Sequence, residues 1–476
     1  METTSARRLA ELVGDLGTAR PPRYAALAGR VRLLVADGRV PLGTRLPAER
    51  ELAGALALSR ATVTAAYARL REDGWATARQ GAGTFAALPA GPSRGAWVPV
   101  PVDDDTIDLA HAAPSAPASV PAAFAAALTE LPRYLPQHGY NPGGLPDLRA
   151  RIAERYTARG LPTTPEQVLV TAGALHGIST AFQTLLRRGQ RLLVEQPTYP
   201  NALDAGRALG VRLLPTALEP EDPAAWLDAT ERALAAGRPT VAYVMPDFQN
   251  PTGRLLDAAG RERLARALRR AGTTAVVDET FAELWLDTPP PPPLAAFGAG
   301  HVSVGSLSKT SWGGLRIGWV RAEADVVRQL TAVSVRSSMA GPVVEQLAAC
   351  ALLDGFDASL SDHRAQLRER RAVLVDELRR LLPAWRVPEP GGGLVLWVGL
   401  PSARSRALVS AAEQYGLRLA SGPLFGTGHA FDDRLRLPYT QPIDVLRKAV
   451  GLLARADADA ERYAGPAVDR TADPVV

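Results

Sequence analysis

The chain has 476 residues, more than one ordinary hydrophobic core accommodates, so two or three domains are expected. No stretch approaches the roughly 18–20 consecutive apolar residues of a membrane span, and residues 1–20 mix acids and bases around no apolar signal core. These features argue against export or membrane anchoring and point to the cytoplasm. Cys350 is the only cysteine, so an intrachain disulfide is excluded. The six histidines show no metal-ligand spacing, and no metal is expected. The net charge of +5 is unevenly placed. Residues 1–90 hold 13 Arg against 8 acidic residues, whereas the remainder carries 41 basic and 41 acidic residues. The whole basic excess therefore lies at the N-terminal end, where a nucleic-acid-binding module would use it.

In chain order, apolar residues at helical spacing run from about Tyr24 to Ala36 through Leu27, Val31, Leu34 and Val35, and Gly38 and Pro41 end the run. A second helix is expected near Pro47, carrying Leu52, Ala53 and Leu56. A third follows the cap residue Ser59 through Val63, Tyr67 and Leu70. Trp75 to Phe85 reads as two short strands around Gln80-Gly81. This order predicts a winged helix-turn-helix over residues 1–88, with a linker over 89–106. Arg60, Thr62 and Thr64 then lie on the first turns of the helix that enters the major groove. Arg50 sits on the preceding helix, and Gly81 at the wing tip permits close backbone approach.

Beyond the linker, short apolar strands alternate with helical stretches: Val168–Thr171, Arg191–Glu195, Thr240–Met245, Thr274–Asp278 and Val302–Gly305. The alternation predicts an α/β domain over 107–456 with a largely parallel sheet, ending in a small α+β portion after about Asp357. A loose tail is expected over 457–476.

Lys309 and Lys448 are the only lysines. Lys309 stands in Ser306-Leu-Ser-Lys-Thr, after a strand and before Gly313-Gly-Leu-Arg316. An amine able to form a Schiff base, flanked by hydroxyls and an arginine for a phosphate, suits pyridoxal 5'-phosphate. Ser306 and Lys309 also match the S-x-x-K of penicillin-recognising enzymes, but the upstream residues follow an order that only the cofactor explains. Asp278 ends a strand, where it can pair with a pyridine nitrogen. Asn250, in Gln-Asn-Pro-Thr-Gly, can donate to a phenolic oxygen. Gly173, Ala174 and Leu175 follow a strand, where backbone N–H groups can cradle phosphate, and Tyr199 can stack on a ring.

Two resemblances rest on these residues. Gly43-Thr-Arg-Leu-Pro-Ala-Glu-Arg-Glu-Leu-Ala, Leu58-Ser-Arg-Ala-Thr-Val-Thr-Ala-Ala-Tyr and Gln80-Gly-Ala-Gly-Thr-Phe resemble the DNA-binding domain of the GntR family. That implies DNA contacts at Arg50, Arg60, Thr62, Thr64 and Gly81; at Thr64 some members carry a second arginine. Residues 105–456 resemble the fold-type I aminotransferases. The similarity implies Lys309 as the aldimine lysine, Asp278 and Asn250 as partners of the pyridine and phenolic groups, and Tyr199 as the stacking ring. It further implies Ser306 and Arg316 at the phosphate, Tyr140 reaching the phosphate of a neighbouring subunit, and Arg436 gripping a substrate carboxylate. One departure stands out: Thr280 and Phe281 occupy the positions where the family carries a tyrosine to the phenolic oxygen.

The two parts together resemble the MocR group of regulators. The group implies a homodimer on a double-stranded DNA operator, each head docked on the partner's large domain, with an amino compound sensed through an aldimine at Lys309. A working aminotransferase with an incidental basic head is the alternative, and a dimerisation domain with a vestigial site is a third reading.

Overall fold

Helical spacing of apolar residues builds the head. The computed structural model describes residues 4–14, 16, 22–36, 39–41, 43–79, 83–87, 105–218, 223–427 and 430–463. Helices α1 (Ala6–Val13), α2 (Arg23–Ala36), α3 (Glu49–Ala55) and α4 (Arg60–Glu72) precede the antiparallel strands β1 (Ala76–Arg79) and β2 (Gly83–Ala86). Helix α1 was not expected, since only Leu9 and Val13 on it are buried, too few to show a period. Its start is set by Ser5, whose hydroxyl accepts from the Arg8 N–H. Leu27, Val31 and Leu34 of α2 meet Leu52, Val63, Tyr67 and Leu70 in one core. Tyr67 donates to the Pro47 carbonyl at 2.9 Å and so pins α4 to the turn before α3. Ser59 caps α4 as its sequence position requires, accepting from the Thr62 N–H. The wing tip with Gly81, and the expected linker up to residue 104, lie outside the described residues.

The body opens with β3 (Ile107–Leu109), α5 (Ser119–Glu130) and α6 (Pro146–Ala158). There follow β4 (Val168–Thr171), α7 (Ala174–Leu185), β5 (Arg191–Gln196), α8 (Pro200–Ala208) and β6 (Arg212–Ala217). Next come α9 (Pro223–Gly237), β7 (Val241–Val244), α10 (Ala258–Ala271), β8 (Thr274–Asp278), β9 (Val302–Ser306) and β10 (Gly318–Arg321). These strands form a seven-stranded sheet in the order β4-β10-β9-β8-β7-β5-β6. Only β10 runs antiparallel to its neighbours. Its four residues follow the Lys309 turn too closely for a crossover helix, so the chain can only reverse direction. Along β7, Val241 and Tyr243 enter one apolar core and Ala242 and Val244 another, as a strand covered on both faces must.

Helices α11 (Ala324–Ser334), α12 (Val343–Asp354) and α13 (Phe356–Leu381) lead to β11 (Val395–Gly399), α14 (Ser405–Glu413), β12 (Leu417–Ser421), β13 (Arg434–Pro438) and α15 (Ile443–Tyr463). The second sheet has the order β11-β13-β12-β3. The C-terminal portion is therefore not closed on itself: β3, from the start of the body, pairs parallel with β12.

The boundary expected at Asp457 is corrected, because α15 runs through it to Tyr463. Asp457 is buried, pairs with Arg404 at 3.0 Å and accepts from the Trp385 indole at 3.3 Å. Helix α2 of the head packs on α14 of the same chain. Arg32 meets the Glu413 carboxylate at 3.0 Å and donates to the Ser410 carbonyl at 3.0 Å. Leu33, beside it, is buried in the C-terminal core, and Gly29 faces the Gln414 side chain.

Removing one partner of a buried ion pair strands the other, at a cost of about 3–5 kcal/mol. Asp457→Ala should therefore lower unfolding stability by about that amount in urea titrations. A surface tail would show a change within about 0.5 kcal/mol.

Candidate functional site

The sheet gathers the predicted residues along one edge. Gly173 follows β4, Tyr199 follows β5, Asn250 follows β7, Asp278 ends β8, and Lys309 lies in the turn after β9. All five strands run the same way, so their carboxyl ends share one edge, where open α/β sheets bind ligands. The second sheet brings Arg436, on β13, to the same place: its Nη1 donates to Asn250 Oδ1 at 3.3 Å. Its other terminal nitrogen bonds the Ala110 carbonyl, just after β3, and its guanidinium lies 4.8 Å from the Phe425 ring centre.

Charge reports the same convergence. Burial pushes the Lys309 amine down to about 8; Arg436 and Arg316 add to the fall and Asp278 opposes it. The amine donates to the Ala112 carbonyl at 2.6 Å. Burial also lowers Arg436, to about 10, with Tyr199 and Asp108 opposing. The Tyr199 hydroxyl is raised by burial and stands in the field of Asp278, Arg436 and Arg316.

The turn expected to cradle phosphate is tight. Gly173 has φ +85°, and a Cβ there would come within 2.8 Å of Arg316 Nη2, which donates to the Ala172 carbonyl at 2.7 Å. Of the three expected backbone donors, the Gly173 N–H is taken by the Thr171 carbonyl at 2.8 Å. Ala174 and Leu175 stand in the first turn of α7, where N–H groups lack intrahelical acceptors. Ser306 Oγ lies 2.9 Å from Ser308 Oγ and 3.0 Å from the Ile317 carbonyl, so it braces the lysine turn. A helix start, an exposed guanidinium, a carboxylate and a half-buried amine within one cleft fit a phosphorylated pyridine aldehyde. Tyr140 stands apart, 59% exposed on the loop before α6.

Sequence reasoning passed over several residues here. His176 accepts from the Ala172 N–H through Nδ1 at 3.1 Å, and burial with the nearby Arg316 lowers its pKa. Glu195 holds the Asn250 loop: it accepts from the Met245 N–H and Gln249 Nε2, both at 3.2 Å, and pairs with Arg254 at 3.3 Å. Burial raises its carboxyl to about 7, and Arg254 and Gln249 oppose the rise. Glu195 and Gln249 both lie inside the quoted motifs, so polar residues buried beside Pro-rich turns were the available signal.

The head presents its second site. Arg50 and Arg60 are exposed on the first turns of α3 and α4. The hydroxyls of the two threonines are engaged within the head: Thr62 Oγ1 lies 2.8 Å from Ser59 Oγ, and Thr64 Oγ1 donates to Glu49 at 2.6 Å. The capping geometry of α4 accounts for the first, and the α3–α4 contact for the second.

The family model for aminotransferase class I and II matches residues 104–451. The chain belongs to that family. The model for bacterial regulatory proteins of the gntR family matches residues 23–86, and with it the chain is a MocR-type transcription regulator whose cofactor is pyridoxal 5'-phosphate. It is 29% identical to the uncharacterized HTH-type transcriptional regulator YdcR of Escherichia coli (strain K12), over 85% of this chain and 92% of that one. It is 32% identical to 2-aminoadipate transaminase of Thermus thermophilus, over 68% of this chain and 81% of that one. The crystal structure of LysN, the alpha-aminoadipate aminotransferase of Thermus thermophilus complexed with N-(5'-phosphopyridoxyl)-L-leucine, superposes with a TM-score of 0.70 at 29% identity. That match covers 75% of this chain and 94% of that one. Among the regulator's described residues, no helix is long and apolar enough to cross a membrane.

An amine lowered to about 8 is neutral in about one molecule in ten at pH 7 and in half at pH 8. Cofactor capture by the apo-regulator should therefore accelerate as pH rises through about 8 and then level off, followed by the growth of the visible band. Borohydride reduction should fix the cofactor on Lys309, and Lys309→Ala should abolish the adduct. Label recovered on Lys448 would refute the assignment.

Proposed function

We propose that the regulator binds a double-stranded DNA operator through Arg50 and Arg60, as a homodimer, and senses an amino compound held between Lys309 and Arg436. The bound cofactor supplies an electrophilic carbon that an amine can engage covalently. Lys309 would be the residue that holds the cofactor, through its amine. Arg436 suits a carboxylate, because its planar fork donates two parallel hydrogen bonds. Asn250 orients Arg436, and Glu195 with Gln249 holds Asn250 in its loop.

One observation carries the sensing reading: the head rests on the element that reaches the effector site. Helix α2 packs on the end of α14, which turns through Gly416 into β12, and Ala420 of β12 pairs with Arg436 of β13. Burial raises the Glu413 carboxyl, and Arg32 of the head and Arg418 of β12 both oppose the rise. Arg418 and Ala420 are two residues, about 7 Å, apart along the strand. A ligand that bonds Arg436 differently in two positions of β12 thus bears directly on the surface that seats the head. Differential affinity of this kind is what shifts a conformational equilibrium, whereas tight binding alone moves nothing.

The likeness to 2-aminoadipate transaminase favours a second reading, a working aminotransferase. Against it, Phe281 is buried in the C-terminal core with Phe248 and Leu284, so its ring supplies no donor to the site.

Arg60→Ala should weaken operator binding by about 1–3 kcal/mol if it reads a base, and binding should fall steeply with salt. An amino-acid effector should change the cofactor spectrum and operator affinity over one concentration range. Arg436→Ala should blunt both responses while basal DNA binding stays within about twofold. Arg32→Glu or Glu413→Arg should weaken the DNA response while sparing the spectral one, and the paired exchange should restore it. Rapid multiple-turnover transamination with no effect on DNA would establish the enzyme instead.

A further inference from the structure

The residues around Asp278 hold more than the motif that identified it. Asp278 is 5% exposed, and three hydrogen bonds reach its carboxylate from this chain. The Thr280 N–H donates to Oδ1 at 3.0 Å and the Thr280 hydroxyl donates to the same oxygen at 2.7 Å. The Tyr243 hydroxyl donates to Oδ2 at 2.7 Å. A carboxylate offers about four acceptor positions, two on each oxygen. Oδ1 is thereby filled, and Oδ2 keeps one position.

We propose that Tyr243 and Thr280 are positioning residues that fix the Asp278 carboxyl group and leave it a single acceptor site, on Oδ2, for the protonated pyridine nitrogen. The proposal rests on the cofactor reading of this site. Burial by itself favours the neutral carboxylic acid, whereas donors to the charged form favour the carboxylate. Tyr243 is fully buried on β7, and its ring meets Phe182 edge-on at 6.0 Å, so the hydroxyl has little freedom to swing away. Burial and the facing carboxylate both raise its pKa, which keeps it a donor.

The arrangement gives the departure at Thr280 and Phe281 a chemical sense. The phenolic side of the cofactor lacks a tyrosine donor from Phe281, because that ring lies in the apolar core. The carboxylate side has a hydroxyl donor in Thr280. Hydrogen bonding is thus concentrated at the pyridine end, and Asn250, whose oxygen accepts from Arg436, keeps its amide N–H groups for the phenolic end.

The step that tests this is one proton transfer. With the donors in place the proton stays on the pyridine nitrogen; without them the carboxylate becomes more basic, and the proton moves along the hydrogen bond to Oδ2. The full-length regulator, loaded with pyridoxal phosphate labelled with nitrogen-15 in the ring, reads this by NMR. Wild type should give the protonated-pyridine shift. Thr280→Val and Tyr243→Phe should each move the signal toward the unprotonated position, the double variant further, and Thr280→Ser should restore the wild-type value. Should Tyr243→Phe fail to fold, the Thr280→Val and Thr280→Ser pair decides alone. Borohydride fixation at Lys309 in every variant separates this test from the cofactor assignment. Unchanged ring-nitrogen signals in variants that fix the cofactor at Lys309 would overturn the proposal.

Discussion

A carboxylate, an amine and a guanidinium held close together at the edge of one sheet form the constraint around which the body is built. Each of Asp278, Lys309 and Arg436 is costly to remove from water, and two of the three carry the same charge. The observed directions fit that conflict: burial pushes Lys309 and Arg436 toward their neutral forms, and Asp278 pulls Lys309 back. The surrounding polar groups serve this balance. Thr280 and Tyr243 keep donors on Asp278, Asn250 and the Ala110 carbonyl accept from Arg436, and the Ala112 carbonyl accepts from Lys309.

The same constraint explains why the body needs two sheets. The parallel sheet can bring only the carboxyl ends of its own strands to the site, which accounts for Asp278, Asn250, Tyr199 and Lys309. Arg436 approaches from a separate mixed sheet, anchored to the body's first strand through the parallel β3–β12 pairing. That sheet is flanked by α14, the helix on which the head rests. Arg436 and the helix-turn-helix head are therefore attached to one structural unit.

Much of the site was legible because its motifs are local. Ser306 to Lys309, Gln249 to Gly253 and Glu195 to Pro200 are short turns after strands, and turn chemistry is set by neighbouring residues. The capping serine of α4 was legible for the same reason. Where distant elements supply the partner, spacing carries no trace. Tyr243 lies 35 residues from Asp278 and reaches it across adjacent strands; Arg436 lies 186 residues from Asn250. Helix α1 showed too few buried positions to be read. The end of α15 was misplaced because Asp457 looks like a solvated charge until Arg404 and Trp385 are seen around it.

The sequence by itself determined the order of the two domains, the helix-turn-helix order of the head, and the lysine, aspartate and asparagine that meet at one edge of the sheet. Each follows from helical period, strand-and-turn punctuation or charge placed along the chain, all of which act between near neighbours. Only the tertiary structure decided that β3 completes the C-terminal sheet, that α2 seats on α14, and that Tyr243 reaches Asp278 from the neighbouring strand. Those outcomes depend on strand register and on which buried charges find partners, and both are settled by packing between segments far apart in the chain.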